Sequence, residues 1–248
     1  NDEKKFYDEN LQDKNINDVG SIKRARRKMM PDNTRRAELV SKIITKRSRI
    51  LEIGSGHGFF LDIMKKNGYD ITGFEISKEK RKYSKKVTKV PVLDININEK
   101  IPTVKPFDIV VLFHTLEHII DPVILLKNIK KLLKPKGKVL VEVPNCDDFH
   151  LGLNKFYKEF YWERAHIHYF NSKSLKTVIN LGGFKGIKIT GVQRYSIENF
   201  FHWRLKNKPQ MENPTYSLSG ELNWLDESYK KYLERNLICD TLISIANI

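Results

Sequence analysis

The sequence predicts an α/β fold in which helices cover both faces of a doubly wound, Rossmann-like sheet of seven strands. Two observations predict it: short apolar runs alternate with amphipathic stretches from Arg49 to Asn145, and a glycine-rich turn joins the first run to the helix after it. The run FDIVVLFH (Phe107–His114) is almost continuously apolar, as in strands buried on both faces of a parallel sheet. With right-handed crossovers, we expect a three-layer αβα sheet that is mostly parallel, with an antiparallel last strand.

The strands are predicted from apolar runs that end at turn residues. Five of them alternate with helices; a sixth follows another helix, and the last comes after a long stretch that does not fit the alternation. The predicted strands are Arg49–Ile53, Asp70–Ile76, Val90–Asn96, Phe107–His114, Lys138–Asn145, Lys185–Tyr195 and Cys239–Ile248.

The helices are predicted from apolar spacing and from capping residues. The clearest has Asp121 as its N-cap, Pro122 in its first turn and a Pro-Lys-Gly exit. Gly68 stands at a natural stop position for an earlier helix. The predicted helices are Thr34–Thr45, Phe59–Gly68, Lys78–Lys86, Asp121–Gly137, Ser174–Phe184 and a polar helix around Glu227–Asn236.

The alternation divides the chain into four parts. Residues 1–46 are a polar N-terminal segment that could act as a lid, and residues 47–192 form the core. Residues 193–238 are predicted to be an insertion that carries substrate-side parts. Residues 239–248 then return to the sheet as its last strand.

Composition restricts the class of protein. The 248 residues include 45 Lys and Arg against 30 Asp and Glu, a net charge of +15, with an ordinary hydrophobic fraction of 40%. No apolar run approaches a membrane span and no secretory signal is visible, although a short leader could precede Asn1. Cys146 and Cys239 give neither a disulfide framework nor a four-ligand zinc spacing, so we expect a cytoplasmic protein. The scattered basic residues favour a general compositional bias, then an anionic small-molecule partner, and disfavour nucleic acid.

Three glycines follow the first predicted strand: Gly54, Gly56 and Gly58. Because glycine has no side chain, a ligand can approach the backbone at such a turn. The G-x-G-x-G spacing differs from the G-x-G-x-x-G of dinucleotide sites, which disfavours a nicotinamide dehydrogenase. Glu52, two positions before the first glycine, suits a cationic or zwitterionic ligand better than a phosphate.

Three motifs in order resemble those of class I S-adenosylmethionine-dependent methyltransferases. They are LEIGSGHG (Leu51–Gly58), the acidic residues Glu75 and Asp94 at the ends of the next two strands, and FDIVVLFHTLEHIIDP (Phe107–Pro122). The resemblance covers about residues 50–184 and implies that Glu75 binds the ribose diol, that Asp94 contacts the adenine amino group, and that the product is S-adenosylhomocysteine. The implied cofactor-binding residues are Glu52, Gly54, Ser55, Gly56, Gly58, Phe59, Glu75, Ile76, Asp94, Ile95, Phe113 and His114.

HTLEH (His114–His118) is also an H-x-x-E-H pattern, which in inverted zinc peptidases places two histidines on one face of a long helix. An Asp-Pro pair shortly afterwards interrupts any such helix here, so no metal is expected. In the methyltransferase interpretation His114 lies beside the transferred methyl group, as a base, as a group that orients the acceptor, or as a wall of the cofactor site. Glu117 and His118 brace this turn or take part in the chemistry.

A second histidine pair lies in ERAHIHYFN (Glu163–Asn171). His166 and His168 fall on the same side of an extended segment, and the connection that carries them overhangs the acceptor pocket in this family. Both are therefore further candidates for catalysis, with His168 as a second possible base. The alternative for such a histidine is a buried ring that is bonded to backbone.

The segment QRYSIENFFHWRLKNKP (Gln193–Pro209) resembles one in a branch of these enzymes that modifies bacterial capsules and surface polysaccharides. It departs from that branch at Phe200, where a histidine is expected, and at Asn207, where a glycine is expected. Its aromatic residues could equally pack the segment on the sheet. The residues that would bind a phosphate or a sugar are Arg194, Tyr195, Asn199, His202 and Arg204.

These features predict a bacterial enzyme that uses S-adenosylmethionine to methylate a small hydroxylated or phosphorylated metabolite. Oxygen is the favoured acceptor atom, and a surface-polysaccharide precursor is the expected acceptor. An RNA methyltransferase would instead show strong, salt-sensitive nucleic-acid binding. A non-catalytic module that binds the nucleotide or cofactor is disfavoured by the intact glycine and acidic motifs. The sequence leaves the oligomeric state open.

Overall fold

The structure is a computed structural model that describes residues 19–163, 165–210 and 220–248. Its strands are β1 (Arg49–Ile53), β2 (Asp70–Phe74), β3 (Val92–Leu93), β4 (Phe107–Phe113), β5 (Leu133–Pro144), β6 (Lys185–Val192) and β7 (Thr241–Asn247). They form one sheet in the order β3-β2-β1-β4-β5-β7-β6.

The α-helices of the described ranges cover both faces of this sheet. Three short 3₁₀ turns lie at Leu116–His118, Phe149–Gly152 and Gly220–Leu222. Over the residues that the structure describes, no helix is long and apolar enough to cross a bilayer. The helices are α1 (Val19–Ile43), α2 (Phe59–Lys66), α3 (Lys78–Thr88), α4 (Pro122–Leu132), α5 (Lys155–Tyr161), α6 (Ser172–Leu181), α7 (Ile197–Lys206) and α8 (Asn223–Arg235).

The strand pairing confirms the predicted fold class. β1 pairs in parallel with β2 and β4, and β4 pairs in parallel with β5. β7 lies antiparallel between β5 and β6. The strand order reverses between β1 and β4, and open α/β sheets bind their ligands at the carboxyl ends of strands at such a point. The loops after these two strands carry the glycine turn and HTLEH, so the topology brings the two motifs together.

Two apolar clusters, one on each face of the sheet, hold the helices in place. Leu126 and Ile129 of α4 and Ile179 of α6 belong to one cluster, whereas Val40 of α1 and Phe60 of α2 belong to the other. These five side chains are at most 1% exposed. Burial of a side chain of this size stabilises a fold by about 1.5–3 kcal/mol, so α1 is part of the core rather than an appendage.

The helix predicted at Thr34–Thr45 is the second half of the longer helix α1. The prediction was too short because the residues before Thr34 are mostly polar and basic and show little apolar periodicity. Ion pairs hold the first half of α1 in place, among them one between Arg26 and Asp62 of α2. That residues 1–46 serve as a lid stays a prediction, and residues 1–18 lie outside the described ranges.

α4 ends at Leu132, five residues before the predicted end at Gly137. The reason is that Leu133 already pairs with Phe107 of β4, and the pairing then shifts register before it resumes at Ile109. The Lys-Pro-Lys-Gly stretch therefore forms the irregular start of β5 rather than the exit of a helix.

The apolar pattern did not predict two short helices, α5 and α7, and capping side chains define where each begins. The Asn154 side chain accepts a hydrogen bond from the backbone at the start of α5, and Ser196 does the same for α7. The predicted insertion at residues 193–238 thus contains α7 and α8, and its residues 211–219 are outside the described ranges. The third strand is shorter than the predicted Val90–Asn96, because only two residues pair with β2.

Gly58 caps α2 and packs against α3. Its φ of 78° lies in the left-handed region, and a Cβ at this position would lie 2.1 Å from Ser84 Oγ and 3.1 Å from Thr88 Cγ2. This glycine therefore permits close packing of the two helices.

We expect Gly58→Ala to lower the free energy of unfolding by about 2–4 kcal/mol, because backbone strain and overpacking each cost about 1–3 kcal/mol. Thermal and denaturant unfolding of the ligand-free protein measure this loss. Gly68→Ala is the matched control, since Gly68 also has a positive φ of 81° but no atom of the described residues lies within 4 Å of its Cβ position. Equal losses in both variants would contradict a packing role for Gly58.

Candidate active site

Two adjoining cavities open at the carboxyl ends of β1 and β4. The smaller, of about 150 Å³, reaches toward β2 and β3, and the larger, of about 730 Å³, extends between α1, α5 and the start of the insertion. A ligand in one cavity would meet a ligand in the other at the glycine turn and at HTLEH. The residues that line both cavities are Gly54, Gly56, Lys80, His114 and His118.

Glu75 and apolar side chains shape the smaller cavity. Ile76 and Ile95, which were predicted as apolar walls of the cofactor site, both line it. The Glu75 carboxylate accepts hydrogen bonds from the backbone N–H of Gly56 at 2.6 Å and of Ser77 at 2.8 Å. A carboxylate offers about four lone-pair positions, so about two remain for hydroxyl groups. This combination fits the ribose and the base of a nucleoside.

Gly56 exposes its backbone to both cavities. Its φ is 52°, and a Cβ built there would have no described atom within 4 Å. Gly54 has a different function, because its Cβ position lies 2.4 Å from Thr115 Oγ1 of the HTLEH turn. Of the three glycines, Gly56 is the one beside open space, where a ligand can approach the backbone.

Glu52 is buried beside the larger cavity with an unsatisfied carboxylate oxygen. It is 5% exposed, and its Oε2 accepts no hydrogen bond from the residues that the structure describes. Burial raises the pKa of Glu52 well above its usual value, while nearby Arg36 opposes the shift and nearby Glu75 adds to it. A cationic group beside Oε2 would remove the cost of this unsatisfied oxygen.

These features fit the S-adenosylmethionine that the sequence predicts. Glu52 offers a partner for its positively charged amino-acid end, Glu75 for its ribose diol, and the apolar walls for its adenine. Ser55, Phe59 and Phe113 line the larger cavity, and their contact with the cofactor stays a prediction.

Asp94 and Gly58 do not line either cavity, in contrast to the other predicted cofactor residues of the described chain. The Asp94 side chain is 45% exposed and accepts a hydrogen bond from Arg81 Nη2 at 2.9 Å. Because β3 ends at Leu93, the chain turns there and Ile95 and Asn96 line the cavity. A contact between Asp94 and adenine would require this carboxylate to turn from its arginine partner.

His114 directly follows β4, and its ring lies between two carboxylates. Its Nδ1 lies 3.2 Å from Glu117 Oε1, its Nε2 lies 3.4 Å from Glu142 Oε1, and Arg194 Nη1 lies 3.5 Å from Nε2. Burial lowers the pKa of His114, but the hydrogen bonds to the two carboxylates outweigh it and hold this pKa above its usual value. His114 also has a φ of 50°, a strained conformation that is concentrated at functional sites.

Glu142 of β5 joins the site although no sequence motif marks it. It is completely buried, and it accepts hydrogen bonds from Arg36 Nε at 2.9 Å and Nη2 at 2.6 Å and from Arg35 Nη2 at 3.0 Å. Burial acts to raise the pKa of Glu142, but Arg36 and His114 hold it well below its usual value. A single acid inside the apolar run VLVEVP was the available signal, and only the fold shows which residues neutralise it.

The loop between α5 and α6 folds back onto the HTLEH turn. The backbone N–H of His168 donates to the Glu117 carbonyl at 3.0 Å, and His118 Nδ1 donates to the Ala165 carbonyl at 2.9 Å. The rings of His118 and His166 lie 4.8 Å apart, and both line the larger cavity. The structure thus brings the two predicted histidine motifs together.

The two histidines of that loop differ in their surroundings. His168 lies outside both cavities and its Nε2 donates to the Ile120 carbonyl at 3.2 Å, which matches the backbone-bonded alternative rather than a base. His166 lines the larger cavity, and burial lowers its pKa while nearby Glu117 opposes the shift.

Of the residues predicted to bind the acceptor, Arg194 and Tyr195 line the larger cavity. Arg194 Nε donates to Asp240 Oδ1 at 2.9 Å, which fixes the guanidinium at the wall of the cavity. Asp240 itself precedes β7, so the last strand supports this wall.

Asn199 and His202 do not line the cavities as they were expected to. Asn199 Oδ1 accepts from the backbone of Gln210 at 2.8 Å, and His202 Nδ1 donates to the Lys208 carbonyl at 2.8 Å. Both are buried within the insertion, where they hold the turn after α7. α7 directs both side chains toward its own C-terminal turn, so their predicted contact with a ligand stays a prediction without support from the cavity lining.

The aromatic residues of the insertion pack it on its neighbours, as the alternative interpretation proposed. Trp203 is 2% exposed, and its ring lies 5.1 Å from Tyr157 and 5.2 Å from Phe160 of α5. Arg204 is exposed and donates to the Leu153 carbonyl at 3.4 Å, away from the cavity.

Helices α1 and α5 supply walls of the larger cavity that no sequence motif marked. Their contribution depends on how each helix docks, which local spacing does not encode. These lining residues are Lys28, Met29, Asp32, Asn33 and Arg36 of α1 and Tyr157, Phe160 and Tyr161 of α5.

Comparison with known proteins agrees with this geometry. A family model described as a methyltransferase domain matches residues 22–189. A ubiquinone biosynthesis O-methyltransferase of Coxiella burnetii is 24% identical over 180 residues, which cover 64% of this chain and 73% of that protein.

Two solved structures share the fold. A SAM-dependent methyltransferase from Archaeoglobus fulgidus has a TM-score of 0.59 at 20% identity, over 87% of this chain and 94% of that one. Phosphoethanolamine N-methyltransferase 2 of Haemonchus contortus, solved with phosphomonomethylethanolamine and S-adenosylhomocysteine, has a TM-score of 0.57 at 21% identity, over 82% of this chain and 49% of that one.

We expect Glu75→Ala to weaken binding of S-adenosylhomocysteine by at least about 30-fold, because hydrogen bonds to a charged group contribute about 1.5–3 kcal/mol each. Asp94→Ala should weaken it by less than about tenfold, since an exposed carboxylate that already binds Arg81 offers little net gain. Calorimetric titration of both variants measures the difference. Comparable losses would contradict it and would support the predicted contact between Asp94 and adenine.

We expect Glu52→Gln to raise the melting temperature of the ligand-free protein and to weaken cofactor binding. The folded-state pKa of Glu52 lies above the unfolded value of about 4.3, so ionisation of this group costs stability as the pH rises above that value. The stabilisation should be present at about pH 7.5 and nearly absent at about pH 3, where wild-type Glu52 is protonated in both states. Melting curves and calorimetry at the two pH values test this. A variant that melts like wild type and binds the cofactor like wild type at about pH 7.5 would show that the buried Glu52 carboxylate neither costs stability nor binds the cofactor.

Proposed function

Since the chain belongs to the methyltransferase family whose model matches residues 22–189, we propose that this S-adenosylmethionine-dependent enzyme methylates a hydroxyl group of a small aromatic acceptor. The cofactor would occupy the smaller cavity and the adjoining glycine turn, and the acceptor would occupy the rest of the larger cavity.

One observation carries this proposal: His114 and His118 line both cavities. Methyl transfer requires the acceptor atom to approach the methyl carbon in line with the breaking carbon–sulfur bond, and positioning supplies much of the rate. Groups at the junction of the two cavities can hold the acceptor there. They are also near enough to receive the proton that the hydroxyl loses.

The bound cofactor supplies an electrophilic methyl group on a sulfonium sulfur. The residues of this chain have the remaining tasks. Glu52, Glu75 and the Gly56 backbone bind and orient the donor. Of the predicted bases, His114, His118 and His166 line the acceptor cavity, so the proton of the hydroxyl passes to one of these imidazoles or to water as the carbon–oxygen bond forms.

The lining of the larger cavity favours an aromatic acceptor over a strongly anionic one. Four basic and four acidic side chains line it, so their formal charges cancel, and the aromatic rings leave it with apolar flanks. A relative named as an O-methyltransferase of ubiquinone biosynthesis supports oxygen as the acceptor atom. The charged lining residues are Lys28, Arg36, Lys80, Arg194, Asp32, Glu52, Glu163 and Asp240, and the aromatic ones include Phe113, Tyr157, Phe160, Tyr161 and Tyr195.

The surface-polysaccharide acceptor and the cytoplasmic location stay predictions from the sequence. The polysaccharide hypothesis loses two of its expected contacts, because Asn199 and His202 are engaged within the insertion. The Arg194 guanidinium lines the cavity and could bind a phosphate, so phosphorylated acceptors are also tested.

The test is methyl transfer from isotopically labelled S-adenosylmethionine to three sets of acceptors: dihydroxybenzoates and other phenols, nucleotide sugars, and short RNAs. We expect label in a phenolic methyl ether, identified by mass spectrometry. His114→Ala should lower kcat by about 10²–10⁴-fold, the usual contribution of a positioned acid–base group, while affinity for S-adenosylhomocysteine changes little.

His168→Gln is the matched control, because His168 lies outside both cavities and should keep most of the activity. Label found only in nucleotide sugars or RNA would contradict the proposed acceptor class. Equal rates for the His114 variant and its control would contradict the role of the cavity junction.

A further inference from the structure

We propose that Glu117, His118 and His166 form a site for one divalent first-row transition-metal ion beside the larger cavity, and that the bound ion holds the acceptor hydroxyl. The H-x-x-E-H pattern lacks the helix of a zinc peptidase, so the sequence alone predicts no metal. The fold supplies a different third ligand, from the loop between α5 and α6.

The three side chains already converge. One ligand atom from each residue, a carboxylate oxygen or a ring nitrogen, lies within 4.8 Å of the other two. Ligands at about 2.0–2.2 Å from one ion are separated by at most about 4 Å, so side-chain movements of less than about 1 Å would complete the site.

Two of these residues present buried polar atoms that lack a partner. Glu117 is completely buried, and its Oε2 accepts no hydrogen bond from any residue within the described ranges. His166 Nδ1 is also buried and without a hydrogen-bond partner there. A buried carboxylate oxygen without a hydrogen-bond partner is destabilising, and a cation between these two atoms would remove that cost.

The other polar atom of each residue faces a hydrogen-bonding or charged neighbour, as is usual for metal ligands. Glu117 Oε1 lies 3.2 Å from His114 Nδ1, and His118 Nδ1 donates to the Ala165 carbonyl at 2.9 Å. The latter bond leaves the lone pair of the neutral His118 imidazole on Nε2. His166 Nε2 points toward Glu163 Oε2 at 3.9 Å.

The ligand set indicates the class of ion. Two imidazoles and one carboxylate suit Zn²⁺, Co²⁺, Mn²⁺ or Fe²⁺ better than Mg²⁺ or Ca²⁺, which prefer sites made of oxygen. Three protein ligands leave at least one coordination position open, as in catalytic rather than structural sites. His118 and His166 line the larger cavity, so an open position would face the acceptor.

The role of the ion rests on the proposed function, whereas its binding does not. A hydroxyl oxygen bound to the ion would have a lowered pKa, so its O–H bond breaks more easily and the proton goes to water or to a base in the cavity. The oxygen then forms the bond to the methyl carbon, and the electron pair of the broken carbon–sulfur bond stays on sulfur. No oxidant or reductant is required.

The experiment uses the full chain, free of any affinity tag and treated with a chelator, without cofactor or acceptor. Zn²⁺ is titrated by calorimetry and Co²⁺ by its visible absorption. We expect one ion per chain, with a Co²⁺ spectrum typical of mixed nitrogen and oxygen ligands. His166→Gln and the isosteric Glu117→Gln should each weaken binding by at least about 100-fold, more than the loss of an outer partner costs.

His168→Gln is again the matched control and should bind the ion like wild type. Circular dichroism and S-adenosylhomocysteine titration establish that each variant is folded. The absence of stoichiometric binding, or equal affinity in the ligand variants and the control, would overturn the proposed site.

Activity separates the two proposals. If the ion binds but no acceptor in the phenolic set is methylated with Zn²⁺, Co²⁺ or Mn²⁺ present, the metal site stands and the acceptor proposal fails. If a phenol is methylated equally fast by metal-free and metal-loaded protein, the acceptor proposal stands and the role of the ion is overturned.

Discussion

The buried carboxylate of Glu142 is the constraint on which the arrangement of the site depends. An ionised carboxylate inside the sheet costs several kcal/mol unless positive groups neutralise it, and the sheet itself offers none. Arg35 and Arg36 of α1 supply that charge, so α1 has to dock against the ends of β4 and β5. The same carboxylate faces His114, whose protonated form it stabilises. The docking of α1 therefore depends on the same carboxylate that orients His114, and it also supplies a wall of the larger cavity.

Three locally unfavourable features of the chain lie at or beside the cavities. Glu52 and Glu117 each bury a carboxylate oxygen without a hydrogen-bond partner in the described residues, and His114 has a positive φ. Such features reduce stability and persist only where the surrounding fold imposes them. Here they lie where the sequence motifs place a charged cofactor and the reacting group, which is the pattern expected when a site rather than the fold selects the residues.

Residues whose roles depend on local geometry were predictable. Gly56 and Glu75 follow buried strands, and the carboxyl ends of parallel strands meet at one edge, so their encounter at 2.6 Å follows from the order of the elements. Other predicted site residues lie away from the cavities. Asp94 was expected at the cavity from its place after a strand, but β3 is so short that the next residues take that position. Asn199 and His202 were expected to bind a ligand and instead hold the end of their own helix.

The sequence by itself determined the αβα sheet, the glycine turn, the acidic residue after β2 and the histidine motif after β4, because each depends on a period or spacing within about twenty residues. The tertiary structure alone decided that Glu142 joins the site, that α1 and α5 wall the larger cavity, and that His166 meets Glu117 and His118. Arg35 and Glu142, for example, are 107 positions apart, and the proximity of such residues follows from the need to neutralise buried charge and bury apolar faces. Which charges and apolar faces meet depends on how the helices pack on the sheet, and the spacing of residues along the chain does not encode that packing.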